Sequence, residues 1–173
     1  PPESHFAIAK HALERGKPVF LEKPMAAHVH EAVELAELAR ARQVTLMVNH
    51  SYVFEEACQK IKGYLTEGRY GALHSFESVH ARPGDGRNLG AIDTLGVHDF
   101  ALLDYFVARP PDAVSAECLA YHGGRDAEVA VQLFYGDSFT ASVHLHLGDV
   151  RTRTRRVRLG FREHTQMVWD AET

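Results

Sequence analysis

The chain has 173 residues, 45% of them hydrophobic and 24% charged, with a formal net charge of −4. That length can bury a core as one large domain or two small ones, and the composition excludes a disordered chain. The acidic balance argues against a general nucleic-acid binder, and no apolar run approaches membrane-spanning length. Two cysteines, Cys58 and Cys118, give no disulfide framework and point to a reducing, cytoplasmic location.

Residues 1–17 read as an entry loop and one helix, with Ser4 as N-cap and Gly16 just past the end. Phe6, Ala9 and Leu13 share a face of that helix. Val19-Phe20-Leu21 favours a strand, which must stop at Pro24 because proline has no N–H for a ladder. Glu22 and Lys23 then stand at the C-terminal end of a strand, the edge where open α/β sheets bind ligands. A second helix runs from about His30 to Arg42, with Ala32, Leu35, Ala36 and Ala39 as its apolar stripe. Val44 to Val48 reads as another buried strand. Helix, strand, helix, strand implies a parallel sheet.

A boundary is expected after Val48, dividing the chain into residues 1–49 and 50–173. Asn49 and His50 follow a strand end, within reach of a ligand cleft. The next helix carries Ala57, Ile61 and Leu65 on one face, closed by Gly68 and Gly71. Leu73 to His80 alternates as a strand of mixed faces, and Arg82 to Gly90 reads as a polar, glycine-rich loop, either mobile or facing a ligand. A helix from about Thr94 to Val107 ends at Arg109-Pro110-Pro111. Val129 to Tyr135 and Phe139 to Leu147 alternate about a Gly136-Asp137-Ser138 turn. Val157 to Phe161 and Met167 to Trp169 follow, which suggests an antiparallel sheet with one buried face.

Three motifs in order carry a resemblance: Pro1-Pro2-Glu3-Ser4-His5, then Ala12-Leu13-Glu14-Arg15-Gly16-Lys17, then Glu22-Lys23-Pro24. With Gly96-Val97-His98-Asp99 further on, the chain resembles the Gfo/Idh/MocA family of nicotinamide-dependent oxidoreductases over nearly its whole length. The resemblance implies an α/β plus α+β fold. A partial Rossmann unit would be followed by a substrate-binding and oligomerisation domain with an open antiparallel sheet flanked by helices. It implies NAD or NADP as cofactor and a glycine-rich phosphate loop upstream of residue 1. No Gly-x-Gly-x-x-Gly occurs in the sequence, and Gly84-Asp85-Gly86 lacks the third glycine.

The resemblance also assigns residues. The lysine matching Lys23 contacts substrate and cofactor in the family, and His5, Glu22, Pro24 and His50 join it on the cofactor side. A lysine can accept or donate the substrate proton if desolvation lowers its pKa. His98, alone, would read as a structural histidine; within the Gly-x-His-Asp match it takes a catalytic or substrate-binding role. The family usually has an aspartate four residues before this histidine, where this sequence has Thr94. Either Asp93 substitutes through a local shift, or catalysis relies on Lys23 and His98 alone. His50-Ser51-Tyr52-Val53-Phe54 and Arg87-Asn88-Leu89-Gly90 resemble members acting on nucleotide sugars, which tilts the substrate toward a sugar, nucleotide sugar or related polyol and adds Thr94 and Arg87 to the substrate contacts.

Two further constellations remain. His144-x-His146 sets two imidazoles on one strand face, read as a polar sheet face or interface, with no metal site assigned. Arg151, Arg153, Arg155, Arg156 and Arg158 read as a solvated strand, with an anionic partner as the alternative. The flat polar face bearing Thr140, Ser142, His144 and His146 is expected to pair with a second copy, through contacts that histidine protonation would loosen.

Overall fold

The computed structural model describes residues 2–84, 89–162 and 165–171. The chain forms two compact units, residues 1–51 and residues 52–173.

The first unit holds helix α1 (Pro2–Glu14), strand β1 (Val19–Glu22), helix α2 (Val29–Arg42) and strand β2 (Leu46–Asn49). Helix α1 takes Ser4 into its first turn, so Ser4 is not the N-cap. The proline at its start presets helical φ and lacks the N–H that a cap would serve. Gly16 ends the helix with φ +67°, as its position required. Strands β1 and β2 pair in parallel, with Val19 opposite Leu46 and Glu22 opposite Asn49. Ala9, Leu13, Leu21, Leu35 and Ala39 form the core of this unit. The expected stripe on α2 is narrower than drawn, because Ala36 is exposed. Strand β2 is not fully buried either. Phe20 and Met47 are ladder partners that point to the other face of the pleat, and they stand 66% and 39% exposed.

The second unit holds helix α3 (Glu56–Thr66), strand β3 (Leu73–Pro83), a π-helical turn (Ile92–Gly96) that runs into helix α4 (Val97–Val107), and five more strands. These are β4 (Ala113–His122), β5 (Arg125–Tyr135), β6 (Phe139–Gly148), β7 (Thr154–Phe161) and β8 (Gln166–Asp170). They make one sheet in the order β4-β5-β6-β3-β7-β8. It is mixed, not wholly antiparallel: β3 and β6 run parallel, with Phe76 beside Ala141 and His80 beside Leu145. Parallel neighbours need a long crossover, and helix α4 with β4 and β5 supplies it. Strand β3 also extends through Pro83, into what the sequence suggested was loop; residues 85–88 lie outside the described residues.

One face of the sheet is apolar. Val129, Val131, Leu133 and Tyr135 on β5 are buried, as are Phe139, Ala141, Val143, Leu145 and Leu147 on β6. Leu102, Leu103 and Phe106 of α4 and Cys58 and Ile61 of α3 belong to the same core. On α3 the inward register is Cys58, Ile61, Leu65; Ala57 is exposed. A spacing of three and four fits both registers, and the larger Cys58 side chain takes the inner one.

The sole tryptophan, Trp169, lies in β8 and reports on the second unit. Leu145 is fully buried, so Leu145→Ala is expected to destabilise that unit by about 2–5 kcal/mol. Urea titration followed by Trp169 fluorescence measures it.

Candidate active site

In the first unit the chemistry gathers at the C-terminal ends of β1 and β2. The parallel register sets Glu22 opposite Asn49, and Asn49 Nδ2 donates to Glu22 Oε1 at 2.6 Å. Lys23 and Pro24 follow at once, joined by a cis peptide bond. His5 Nδ1 lies 2.8 Å from the Pro24 carbonyl oxygen. A carbonyl only accepts, so His5 carries its proton on Nδ1. His50 stands one residue past β2. Burial, and then the nearby charge of Lys23, push its pKa below the usual histidine value, so the ring is neutral at pH 7. Its Nδ1 is buried and has no hydrogen-bond partner among the described residues. The structure thus brings His5, Glu22, Lys23, Pro24 and His50 to one strand edge.

In the second unit His98 is the second residue of α4. Gly96 lets this helix start lie close to the sheet. A Cβ there would meet Leu145 Cδ1 at 2.9 Å and Phe100 Cε2 at 3.0 Å. The turn before it is π-helical: the Val97 N–H bonds the Ile92 carbonyl, five residues back. A π-turn inserts one residue into the helical repeat and is frequent at functional sites. It sets Asp93, five residues before His98, one such turn away; Asp93 is exposed. Thr94 is half-buried, with its hydroxyl 3.4 Å from the Leu89 carbonyl oxygen. Arg87 lies outside the described residues.

Beside His98 sits a polar cluster with no solvent exposure to speak of. Asp99 is 0% exposed, Arg155 1%, Ser78 3% and His80 6%. Ser78 donates to one Asp99 oxygen. The other oxygen takes Arg155 Nη1 at 3.1 Å and lies 2.9 Å from His80 Nδ1. Burial pushes the Asp99 pKa up, but the His80 hydrogen bond and the Arg155 charge outweigh it and hold the carboxyl below its ordinary range. The guanidinium carbon of Arg155 lies over the Tyr52 ring, 4.1 Å from its centroid. Tyr52 meets the His98 ring edge-on at 5.0 Å.

The sequence reading missed Tyr52, His80 and Arg155 as site-forming residues. Arg155 was grouped with a solvated basic run. Its signal was phase: Arg155, Val157, Leu159 and Phe161 alternate onto one face, and all four are buried.

Residues 1–50 match the family model described as the NAD-binding Rossmann fold of the GFO/IDH/MocA oxidoreductases. Residues 58–162 match the model of that family's C-terminal domain. The chain belongs to the GFO/IDH/MocA oxidoreductase family. It is 31% identical to the uncharacterised oxidoreductase YhhX of Escherichia coli, over 78% of this chain and 41% of that protein. It is 30% identical to UDP-N-acetylglucosamine 3-dehydrogenase of Acidithiobacillus ferrooxidans, over 67% of this chain and 36% of the relative. The solved structure of that dehydrogenase superposes with a TM-score of 0.84, at 25% identity, covering 98% of this chain and 53% of that one. A scyllo-inositol dehydrogenase of Lactobacillus casei, solved with NAD(H) and scyllo-inositol, shares the fold with a TM-score of 0.85, at 16% identity, over 98% of this chain and 55% of its own. The chain therefore spans between a third and about a half of these relatives.

The family's cofactor is a nicotinamide dinucleotide, and the strand edge fits one end of it. His50 presents a buried nitrogen that no described residue satisfies, and Lys23 places a cation at the same edge. No glycine-rich run in the 173 residues offers a cradle for the pyrophosphate. Calorimetry of the 173-residue polypeptide with NAD is accordingly expected to show weak binding at most; tight stoichiometric binding would mean the phosphates are held elsewhere.

The Asp99 pKa is lowered by folding, so its contribution is present above the unfolded value near ~4 and is lost as pH falls below it. The urea midpoint of the second unit is expected to drop as pH is lowered from about 5 to 3. Asp99→Asn should flatten that dependence while destabilising the unit by about 3–5 kcal/mol, because it strands the Arg155 charge.

Proposed function

We propose that this chain carries the catalytic residues of an NAD- or NADP-dependent dehydrogenase acting on a sugar, nucleotide sugar or related polyol. The observation that carries the reading is the gathering of Glu22, Lys23 and His50 at the ends of two parallel strands, the edge where such sheets bind ligands. On this reading residues 1–49 serve the cofactor, and residues 50–173 serve the substrate and assembly. The 30% identity to a UDP-N-acetylglucosamine 3-dehydrogenase supports the sugar class.

The nicotinamide, when bound, supplies the hydride acceptor or donor. Lys23 holds the substrate oxygen and stabilises the charge that develops on it. His98 exchanges the hydroxyl proton, which an imidazole can do near neutral pH. Asp93, exposed one π-turn before His98, is the residue that would pass that proton on to water. Glu22, fixed by Asn49, orients the Lys23 ammonium or the cofactor ribose. His5 braces the Pro24 carbonyl and with it the corner that carries Lys23. Thr94 and Arg87 are assigned to substrate contacts.

A second reading has one observation behind it. Thr94 stands where the family places an acid, and a threonine is no base at neutral pH. A relative that binds sugar without turning it over would tolerate that change. The test is a panel of UDP-N-acetylglucosamine, glucose and scyllo-inositol with NAD and NADP, using the full-length enzyme. Lys23→Ala is expected to lower turnover by about 10²–10⁴-fold while cofactor fluorescence still titrates. Near wild-type turnover in that variant removes the catalytic role of Lys23. Sugar binding without turnover in the wild type favours the second reading.

We further propose a cytoplasmic protein that pairs through the open sheet face. Among the described residues both cysteines are free, and no helix is long and apolar enough to cross a membrane. Val79, Phe134 and Val168 stand 42%, 41% and 53% exposed. His144 Nε2 lies 2.9 Å from Glu128 Oε1 of the same chain. Sedimentation at pH 8 and tens of micromolar is expected to give an oligomer. A monomer would end the proposal.

A further inference from the structure

The buried cluster around Asp99 has no part in the reaction as described. Its cost calls for an account, because a charge withdrawn from water must recover its hydration elsewhere. His80 and Arg155 are direct partners across the β3–β7 ladder, so both side chains rise from the same spot of the inward face. Asp99 reaches that spot from α4, one residue after His98. Arg155 shares Nη1 between Asp99 and the His80 ring, while its Nε and Nη2 are buried without hydrogen-bond partners among the described residues. The face of the guanidinium is spent on aromatic rings instead, with Tyr52 at 4.1 Å and Trp169 at 5.9 Å from the ring centroids. Tyr52 packs edge-on against both Trp169 and His98, at 5.9 Å and 5.0 Å, with the two His98 and Tyr52 ring planes at 88°. His80 lies 6.3 Å from His98. The contacts close a loop: Asp99 holds Arg155, Arg155 holds Tyr52, Tyr52 walls His98, and His98 is joined to Asp99 through one peptide bond.

We propose that Tyr52 is a positioning residue for His98, and that the buried Asp99–Arg155 pair exists to fix the Tyr52 ring. The proposal rests on the reading that His98 exchanges the substrate proton. Proton transfer requires the imidazole within hydrogen-bond reach of the hydroxyl, and a misplacement of about 1 Å can cost about 10²-fold in rate. The α4 backbone sets the root of His98 but does not by itself fix χ1 and χ2. The Tyr52 ring, edge-on at 5.0 Å, is an aromatic wall on one side of the imidazole. Arg155 is suited to hold the wall because its planar cation stacks on a ring, which a lysine ammonium does not do in the same way.

The test is a double-mutant cycle in the full-length enzyme, with the best substrate of the panel above and Trp169 fluorescence as the check of folding. Tyr52→Met refills the volume without a ring. It is expected to lower kcat by about 10- to 100-fold with little change in the cofactor KM, and Tyr52→Phe should restore most of the rate. In a His98→Ala background Tyr52→Met is expected to have no further effect, because the group it positions is gone. Equal losses in both backgrounds would make Tyr52 merely structural and overturn the proposal alone. Full activity in His98→Ala would remove the reading of His98 and the proposal together. A readout without substrate is the imidazole 1H–15N spectrum of selectively labelled protein. Wild type and Tyr52→Phe should share one sharp set of His98 signals that shifts or broadens in Tyr52→Met and in Arg155→Lys. Identical His98 signals in all four proteins would also overturn it.

Discussion

The second unit depends on one carboxylate. Asp99 has no solvent contact, and its partners come from two other elements: Ser78 and His80 from β3, Arg155 from β7. Two opposite charges in a dry interior recover their hydration only when the geometry is good and the remaining lone pairs are used. Asp99 meets that condition with three partners, Ser78, His80 and Arg155, shared between its two oxygens. The consequence is positional. The N-terminal turn of α4 is tied to two adjacent strands, and Gly96 presses the same turn onto Leu145 of a third. Val97 and His98 lie between these anchors. A structure that only needed a core would have filled this space with leucine.

The first unit reaches a comparable result with backbone alone. Parallel pairing without offset brings the ends of β1 and β2 level, so Glu22, Lys23, Asn49 and His50 come out at one edge. Their mutual effects follow from that proximity. Asn49 ties down the Glu22 carboxylate, and the Lys23 charge adds to burial in keeping His50 neutral. A neutral, half-buried imidazole beside a cation is prepared to meet a polar ligand group, and is poorly suited to a role as surface charge.

Much of this was legible in the residues. Proline at position 24 stops a strand, so the charged pair before it had to sit at a strand end. The alternation of Val129 to Tyr135 and Phe139 to Leu147 fixes which side chains face the core, and the structure agrees at each of those apolar positions. Alternation does not name a strand's neighbour, which is why the parallel β3–β6 pairing was out of reach. Strand β4 was invisible for a related reason. Its residues are mostly exposed on both faces, so Ala113 to His122 carries no apolar rhythm. The π-turn was hidden too, since one inserted residue leaves the apolar spacing of Leu95, Leu102 and Phe106 readable as a plain helix. Arg155 was the costliest miss. Composition places it among its basic neighbours, and only its phase with Val157, Leu159 and Phe161 separates it from Arg156 and Arg158, which face outward.

If these residues serve hydride transfer, the path of the hydrogen reveals it. The full-length enzyme would be incubated with NAD or NADP and a sugar or polyol deuterated at the carbinol carbon, and the recovered nicotinamide examined by mass spectrometry. Deuterium is expected in the reduced nicotinamide ring, and is expected to disappear in Lys23→Ala. Unlabelled nicotinamide throughout, with the sugar bound and unchanged, would contradict it and leave a binding protein built on a dehydrogenase frame.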